Sequence, residues 1–383
     1  MNALDYIVNN GIYTFEQKPF NEVDNTLMCQ LSYIEWQDIV GEKPLRLQEA
    51  AEKYFMRGEE GGVAKVGDSA SDRLALSLMA NNRRYRDLLV MDYVNDDDWT
   101  DEKQFGAITV QLGKNLYYIA FEGTDNMLFS WKEDFNMAYM TPVPSQKQAL
   151  EYVSRQLKKR KGNFLLGGHS KGGNLAVYAA VELSSERIVR VYNNDGPGFS
   201  ESYTAKPQYQ AMLKRMITYL PSGSVIGTLM NSGIDRVIVS SEGKGPVRQH
   251  DFLSWQSEGG HFVKAENFSD FSRFINDSMN GWFRDLSFEE KIVFINTSYD
   301  AMVELGCSTI RDLEKKKADF LIRLVRKFMN YDRDTKGLMA QTLISLIKNS
   351  GMSFVNAFFL FRLNHAAQTG DRDEKPEEET EEE

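Results

Sequence analysis

The sequence predicts an α/β fold in which a mainly parallel central sheet is flanked by helices. Short apolar runs alternate with helical stretches between about residues 105 and 240, which is typical of a parallel sheet whose strands are joined by helices. One apolar run, residues 164–166, leads through a glycine-rich turn into a helix. The stretches before and after this region have helical patterns, so we expect helical N-terminal and C-terminal extensions.

The glycine-rich turn reads Gly168-His169-Ser170-Lys171-Gly172 and fits G-x-S-x-G, the nucleophile elbow of α/β-hydrolases. Glycines beside the serine remove the Cβ atoms that would clash in such a sharp turn. The helix that begins there points its free N–H groups at the place where an oxyanion would form. Ser170 is therefore the candidate nucleophile of an α/β-hydrolase fold.

Two other interpretations of the turn are an ordinary glycine-rich strand–helix connection and a phosphate-binding loop. A Walker A loop needs G-x-x-x-x-G-K-[ST], and this spacing is absent. After the turn, Leu175, Ala179 and Leu183 recur every four residues, as a sheet-facing helix requires. The context favours the catalytic elbow.

Composition restricts the class of protein. Hydrophobic residues make up 42% of the 383 residues, and the two cysteines, Cys29 and Cys307, are too few for a disulfide framework. Neither a signal peptide nor a membrane-spanning run is evident, so we expect a cytoplasmic protein. The net charge of −10 lies mostly in the last 13 residues, where nine acids and two bases give −7. The nearly neutral remainder argues against nucleic acid as a partner.

The chain divides into three predicted parts. Residues 1–282 form a hydrolase domain that includes a mainly helical N-terminal part, in which Asp24 is expected to cap a helix. Residues 283–369 form a helical C-terminal extension, either a cap over the site or a packing element, and residues 370–383 form an acidic disordered tail. The acidic run Asp96-Asp97-Asp98 is interpreted as a solvated turn rather than a cation site.

The predicted elements of the body follow in order. Strands are expected near residues 105–111 and 116–121, joined as a hairpin, and a helix capped by Ser145 and Gln148 follows them. Further strands are expected near 188–192, 217–220 and 236–240, and C-terminal helices near 287–303, 309–330 and 338–348. Ligands bind such sheets at the carboxyl ends of the strands.

A nucleophilic serine needs a base, and the chain has four histidines: His169, His250, His261 and His365. His169 lies in the elbow and is interpreted as packing, and His365 is expected near the acidic tail. His250 follows the last sheet strand, where the chain order Ser, Asp, His places the base. His261 is the second choice.

The acid that orients the base is expected at Asp195, which ends the strand after the elbow helix. Its alternative role is to form the turn before Gly196 and Pro197. Asp235 would lie at the wrong end of its strand, and Asp251 adjoins the base and would point elsewhere. The oxyanion donors are expected to be the backbone amides of Lys171 and, from the loop after an earlier strand, Thr124.

Two families share these motifs. The run Ala120-Phe121-Glu122-Gly123-Thr124 resembles the A-F-R-G-T oxyanion segment of class 3 lipases, with glutamate in place of arginine, and their elbow is G-H-S-[LK]-G. Over about residues 1–260 the chain is also similar to the bacterial Mbeg-like family of unknown function, whose signatures resemble residues 193–198 and 249–251. Class 3 lipases place their acid one strand later, near residues 219–224, where this chain has no carboxylate. At Asp195 the chain instead resembles pancreatic-type lipases.

We therefore expect a serine hydrolase that is lipase-like or esterase-like and cleaves an acyl ester or lipid through an acyl-enzyme. No metal or organic cofactor is implied. The alternatives are a non-catalytic hydrolase scaffold that binds a partner, and an acyltransferase or thioesterase with the same triad, because a fold alone does not select a substrate.

Overall fold

The computed structural model describes residues 1–57, 69–125, 127–230 and 232–309, with six isolated positions beyond them (312, 316, 319, 323, 326 and 327). Eight strands form one sheet in which they are ordered as they occur in the chain. The strands are β1 (Leu45–Arg46), β2 (Leu89–Asp98), β3 (Lys103–Gly113), β4 (Leu116–Phe121), β5 (Asn163–His169), β6 (Ile188–Asn194), β7 (Met216–Pro221) and β8 (Arg236–Val239). A separate two-stranded sheet pairs β9 (Ser257–Glu258) with β10 (His261–Phe262).

Twelve helices are described. They are α1 (Ala3–Asn10), α2 (Glu22–Gln30), α3 (Leu47–Met56), α4 (Ser69–Asn81), α5 (Leu128–Asn136), α6 (Pro144–Lys159), α7 (Lys171–Leu183), α8 (Glu201–Thr204), α9 (Pro207–Met212), α10 (Pro246–His250), α11 (Asp270–Asp285) and α12 (Phe288–Glu304).

Strands β4 to β8 are parallel, whereas β1 to β4 are antiparallel neighbours. The parallel strands are joined by helical or long connections, and β2–β3 and β3–β4 are joined by short turns, because only antiparallel strands can be connected so tightly. The mostly parallel eight-stranded sheet with helices on both faces confirms the predicted α/β-hydrolase fold.

The helices cover both faces of the sheet. Ile108, Ala120 and Leu165 pack with the N-terminal helices α1 to α4 in one buried cluster. Ile119 and Phe121 face the other way and pack with α6, α7 and α9. Since side chains alternate between the faces of a strand, each central strand contributes to two cores.

The N-terminal part departs from its prediction, because it contains β2, a ten-residue strand. The acids Asp96 and Asp98 are therefore strand residues rather than a solvated turn. Lys103 on β3 lies 2.9 Å from the Asp96 carboxylate, and Asp98 accepts a 2.9 Å hydrogen bond from the Thr100 amide in the turn. These contacts let a polar sequence end a strand.

Two helices begin differently from their predictions. Asn21 rather than Asp24 is the N-cap of α2, and Asp24 accepts the Asn21 amide from three residues further on. Helix α6 begins at Pro144, with Gln146 accepting the amide of Val143 at 2.9 Å. The Ser145 amide instead donates to Glu133, so the sequence pattern was correct about the helix but wrong about its cap.

The C-terminal helices contact loops on two sides of the carboxyl edge of the sheet. On α11, Asn280 accepts the Met230 amide at 2.7 Å and donates to the Thr228 carbonyl at 2.9 Å. Beyond α12, the Ser308 carbonyl accepts the amide of Leu128 at the start of α5. The proposed domain boundary at residue 282 falls within α11, and the division into domains stays a prediction.

Several predicted features lie outside the described residues. These are the helix near 338–348, most of the helix near 309–330, His365 and the acidic tail. Within the described ranges, no helix is both long and apolar enough to cross a membrane. The cytoplasmic location stays a prediction.

Candidate active site

Ser170 occupies the turn between β5 and α7. Its backbone has φ 55° and ψ −130°, a conformation that is unfavourable for a residue with a Cβ atom and that marks local strain. The Ser170 amide donates to the Asn194 carbonyl at 3.0 Å, and its carbonyl accepts the Gly173 amide at 3.0 Å. These two bonds hold the strained turn against β6 and the first turn of α7.

The flanking glycines are required by close packing. A Cβ atom on Gly168 would lie 2.2 Å from the backbone of Gly172, and one on Gly172 would lie 2.3 Å from the Phe121 carbonyl oxygen. No side chain fits at such distances, so the helix approaches the strands as closely as their backbones allow. The G-x-S-x-G spacing is thus explained by local sterics.

His250 and Asp195 meet beside the elbow. Their side chains are joined by a contact of 2.6 Å between His250 Nδ1 and Asp195 Oδ2. Asp195 is completely buried, and its other oxygen accepts the Ser224 hydroxyl and, at 3.2 Å, the Gly227 amide. A buried carboxylate with donors on both oxygens is held in one orientation.

The other candidate bases and acids are placed differently. The His261 side chain is 78% exposed and lies 3.7 Å from Glu22. Asp235 is exposed just before β8. Asp251 accepts the Leu253 amide at 2.9 Å and thereby caps the turn that follows His250. The side chain that meets the His250 ring at 2.6 Å is that of Asp195.

The loop after β4 lies against the elbow from the other side. A Cβ atom on Gly123 would be 2.5 Å from the His169 carbonyl oxygen and 3.1 Å from Ser170 Cβ. The next residue, Thr124, is buried, and its hydroxyl donates to Asp134 on α5. Lys171 is the first residue of α7, so its amide has no acceptor within its own helix.

The Lys171 side chain points away from the serine into the protein. It is completely buried, and its ammonium lies 3.0 Å from Glu133 and 2.9 Å from the Gln104 carbonyl oxygen. Burial alone would lower the pKa of Lys171, but the charges of Glu133 and Asp134 outweigh burial and raise it. The lysine therefore remains charged and joins the elbow helix to α5 and β3.

Asp134 is the most perturbed acid near the elbow. Burial raises its pKa to about 7, against the opposing effects of the Lys171 charge and the Thr124 hydrogen bond. Its Oδ1 atom is buried with no hydrogen-bond partner among the described residues. A carboxylate at this position can exchange its proton near neutral pH.

Two of these contacts were not predicted from sequence. Ser224 supports Asp195, and Asp134 supports Thr124, across 29 and 10 residues of chain. Ser224 lies at the strand end where class 3 lipases carry their acid, and this correspondence could have indicated that Ser224 belongs to the site. Nothing in the local pattern distinguished Asp134 from its neighbours.

Among the described residues, no group of three or more His, Cys, Asp or Glu side chains is arranged to hold a metal ion. That no cofactor is needed stays a prediction.

The sheet, the strained serine turn and the flanking helices together define an α/β-hydrolase fold. The chain belongs to the Mbeg1-like family, whose sequence model matches residues 79–300. No protein with a curated description matches it.

Three solved structures are similar to parts of the chain. M37 lipase is 16% identical, with 54% of this chain and 69% of that chain covered and a TM-score of 0.35. A mutant form of MDLA from Penicillium cyclopium is 12% identical, with coverages of 59% and 87% and a TM-score of 0.35. The propeptide complex of Rhizomucor miehei lipase is 13% identical, with coverages of 51% and 60% and a TM-score of 0.27.

Proposed function

We propose that this protein is a serine hydrolase that cleaves a carboxylic ester through a covalent acyl-enzyme. Ser170 is the nucleophile, His250 the general base, and Asp195 the acid that orients it. The backbone amides of Thr124 and Lys171 bind the oxyanion. The observation that carries the proposal is the 2.6 Å contact between His250 Nδ1 and the buried Asp195 carboxylate, beside a serine held in strained elbow backbone.

The first half-reaction forms the acyl-enzyme. Ser170 Oγ attacks the ester carbonyl carbon while His250 Nε2 takes the hydroxyl proton. The carbonyl oxygen becomes an oxyanion that accepts hydrogen bonds from the two amides, and one such donor typically contributes about 3–4 kcal/mol to transition-state stabilisation. The tetrahedral intermediate then collapses, the carbon–oxygen bond to the alcohol breaks, and His250 gives its proton to the leaving oxygen.

The second half-reaction releases the acid. His250 takes a proton from water, the resulting hydroxide attacks the acyl carbon, and Ser170 leaves with the proton that His250 returns. The Asp195 carboxylate contacts His250 Nδ1 and thereby stabilises the imidazolium that forms twice per cycle. Hydrolysis therefore requires only the ester and water.

Ser224, Thr124 and Asp134 support this machinery. The Ser224 hydroxyl and the Gly227 amide occupy the Asp195 oxygen that does not contact His250, which prevents the carboxylate from turning away. The Thr124 hydroxyl is engaged with Asp134, which orders the loop whose amide serves the oxyanion.

The experiment is covalent labelling with a fluorophosphonate, followed by a chain-length series of acyl esters. We expect stoichiometric labelling at Ser170, no labelling of Ser170→Ala, and nearly equal thermal stability of the two proteins. A folded wild-type protein that resists the reagent would favour the binding-scaffold alternative. Labelling with transfer of the acyl group to an alcohol or a thiol, rather than to water, would favour an acyltransferase.

A further inference from the structure

The histidine inside the elbow, His169, has a more specific environment than packing requires. Its ring is buried between two hydrogen-bond partners, with Nδ1 2.7 Å from the Tyr33 hydroxyl and Nε2 2.7 Å from the His250 carbonyl oxygen. The His250 ring lies beside it, with ring centroids 4.3 Å apart, and Phe252 packs edge-on at 4.8 Å. His169 therefore contacts both the backbone and the ring of His250, the proposed base.

The partners determine which nitrogen of His169 carries the proton. A carbonyl oxygen can only accept, so Nε2 must donate to His250. Burial lowers the pKa of His169 well below 6.5, and the neighbouring His250 lowers it further, so the ring is neutral and Nδ1 has a free lone pair. Nδ1 therefore accepts the hydroxyl proton of Tyr33.

Tyr33 also packs against the oxyanion loop. It ends the short turn that follows α2, in the helical N-terminal part, and a Cβ atom on Gly123 would lie 2.3 Å from its hydroxyl oxygen. Burial raises the pKa of Tyr33 well above 10, so the hydroxyl keeps its proton for His169. The hydrogen bonds then run in one direction, from Tyr33 through His169 to the His250 carbonyl, while the Tyr33 hydroxyl packs against Gly123.

We infer that Tyr33 and His169 are positioning residues that fix the oxyanion loop and the His250 backbone relative to Ser170. This inference rests on the proposed function. Helix α10, which ends at His250, has only five residues and begins after Gly245 at φ 80°, so it needs external anchors. The Gln249 side chain, which accepts the Gly223 amide at 2.8 Å, provides one, and His169 provides the anchor nearest the base.

The neutral state of His169 is also required by the proposed chemistry. His250 becomes positively charged twice in each cycle, and a second charge 4.3 Å away in a buried site would oppose this. The arrangement thus places a histidine beside the base without a competing charge.

The test compares Tyr33→Phe, His169→Gln and His169→Phe with a matched control, Tyr152→Phe. Tyr152 is also buried, and its hydroxyl donates to the Asp92 carbonyl at 2.7 Å, between α6 and β2. The readouts are the rate of fluorophosphonate labelling of Ser170, the melting temperature, and the far-downfield proton resonance of His250 Nδ1.

We expect His169→Phe to label about 10²-fold more slowly, as displacement of a reacting group by about 1 Å can cause, and to shift or broaden the resonance. His169→Gln should retain more of the rate, because its amide nitrogen can still donate to the His250 carbonyl. Tyr33→Phe should slow labelling with an intact fold, and Tyr152→Phe should change stability only.

Wild-type rates and an unchanged resonance in Tyr33→Phe and His169→Phe would overturn the inference, as would slowing that only follows the loss of melting temperature. If His169→Phe does not fold, Tyr33→Phe and His169→Gln decide the question by the same readouts. If the wild-type protein is not labelled at all, the proposed function fails, and the His250 resonance, which needs no substrate, still tests the positioning.

Discussion

At the scale of single residues, Asp195 and His169 in the candidate site are buried, and every polar atom of their side chains has a hydrogen-bond partner. Both Asp195 oxygens have donors, and both His169 nitrogens have partners. An unpaired buried polar group is costly, so such residues are held in one position. That restraint is what a reaction depending on accurate alignment needs.

The Asp195 side chain is the first residue-scale prediction. Asp195→Asn should keep the fold but leave the His250 ring poorly oriented, and kcat should fall by about 10⁴. The measurement is kcat on any accepted ester. Asp235→Asn is the control, because Asp235 is exposed at the other end of its strand. If Asp251→Asn loses all activity while Asp195→Asn keeps a kcat near that of wild type, the acid that orients His250 is Asp251 rather than Asp195.

The base assignment gives a second prediction. His250→Ala should abolish turnover, whereas His261→Ala should keep it, because the His261 side chain is largely exposed and faces Glu22. The two variants are assayed side by side on the same ester. Equal activities would contradict the assignment.

Asp134 gives a third prediction, on pH. Burial raises its pKa to about 7 in the folded protein, against about 3.9 when unfolded. Between about pH 4 and 7 the folded state binds the extra proton, so this group's contribution to stability falls as pH rises through that window. Asp134→Asn removes this titration.

The free energy of unfolding of Asp134→Asn minus that of wild type should therefore rise between about pH 4 and 7, by up to a few kcal/mol. Urea unfolding of both proteins at each pH measures this difference. The contributions of the other titrating groups are the same in both proteins and therefore cancel. A difference that is constant with pH would mean that Asp134 is not a titrating group in this window.

At the scale of elements, the strand–turn–helix of the elbow is joined to the rest of the body by an ion pair. Lys171 on α7 and Glu133 on α5 are both fully buried and lie 3.0 Å apart. Glu133 also accepts the amides of Gln104 and Ser145. One carboxylate thus connects α5, α7, β3 and the start of α6.

Breaking this pair is the fourth prediction. Lys171→Met should lower the free energy of unfolding by about 3–5 kcal/mol, because a charged Glu133 would remain buried without its cation. In the double variant with Glu133→Gln, the loss should be smaller than the sum of the two single losses. Additive losses in urea unfolding would show that the two side chains do not interact.

At the scale of the whole molecule, the N-terminal helices pack against the central sheet. Their apolar residues share one cluster with the central strands, and Tyr33 reaches the elbow from this side. Arg84 and Asp24, both completely buried, are joined by an ion pair, and Arg84 also donates to the Lys18 carbonyl at 2.9 Å. These contacts link α2 to the segment after α4.

The fifth prediction concerns this pair. Arg84→Met should destabilise the protein by about 3–5 kcal/mol and shift one cooperative transition. Arg46→Met is the control, because the Arg46–Glu49 pair is exposed and such pairs contribute at most about 1 kcal/mol. Urea unfolding followed by fluorescence measures both. If unfolding occurs in two steps and Arg84→Met shifts the midpoint of only the first, the N-terminal part unfolds as a separate unit.

The sequence by itself determined the parallel sheet, the elbow serine and the candidate His250 and Asp195. These features follow from local rules: apolar strand runs, glycines where no Cβ fits, and the shared edge at which parallel strands end. The tertiary structure decided the rest. Strand β2 ends in acids, one of which, Asp96, forms an ion pair with Lys103 and accepts a hydrogen bond from Gln148. No local sequence pattern predicts these partners.

The supporting contacts of the site could not be predicted from the sequence either. Tyr33 and His169 are 136 residues apart, and Ser224 and Asp195 are 29 apart, so their pairing depends on how whole layers pack. A hydrogen bond requires positions correct to a few tenths of an ångström, and only the folded chain supplies them. Residue type and spacing therefore identified the candidate reacting groups, whereas packing decided what holds them in place.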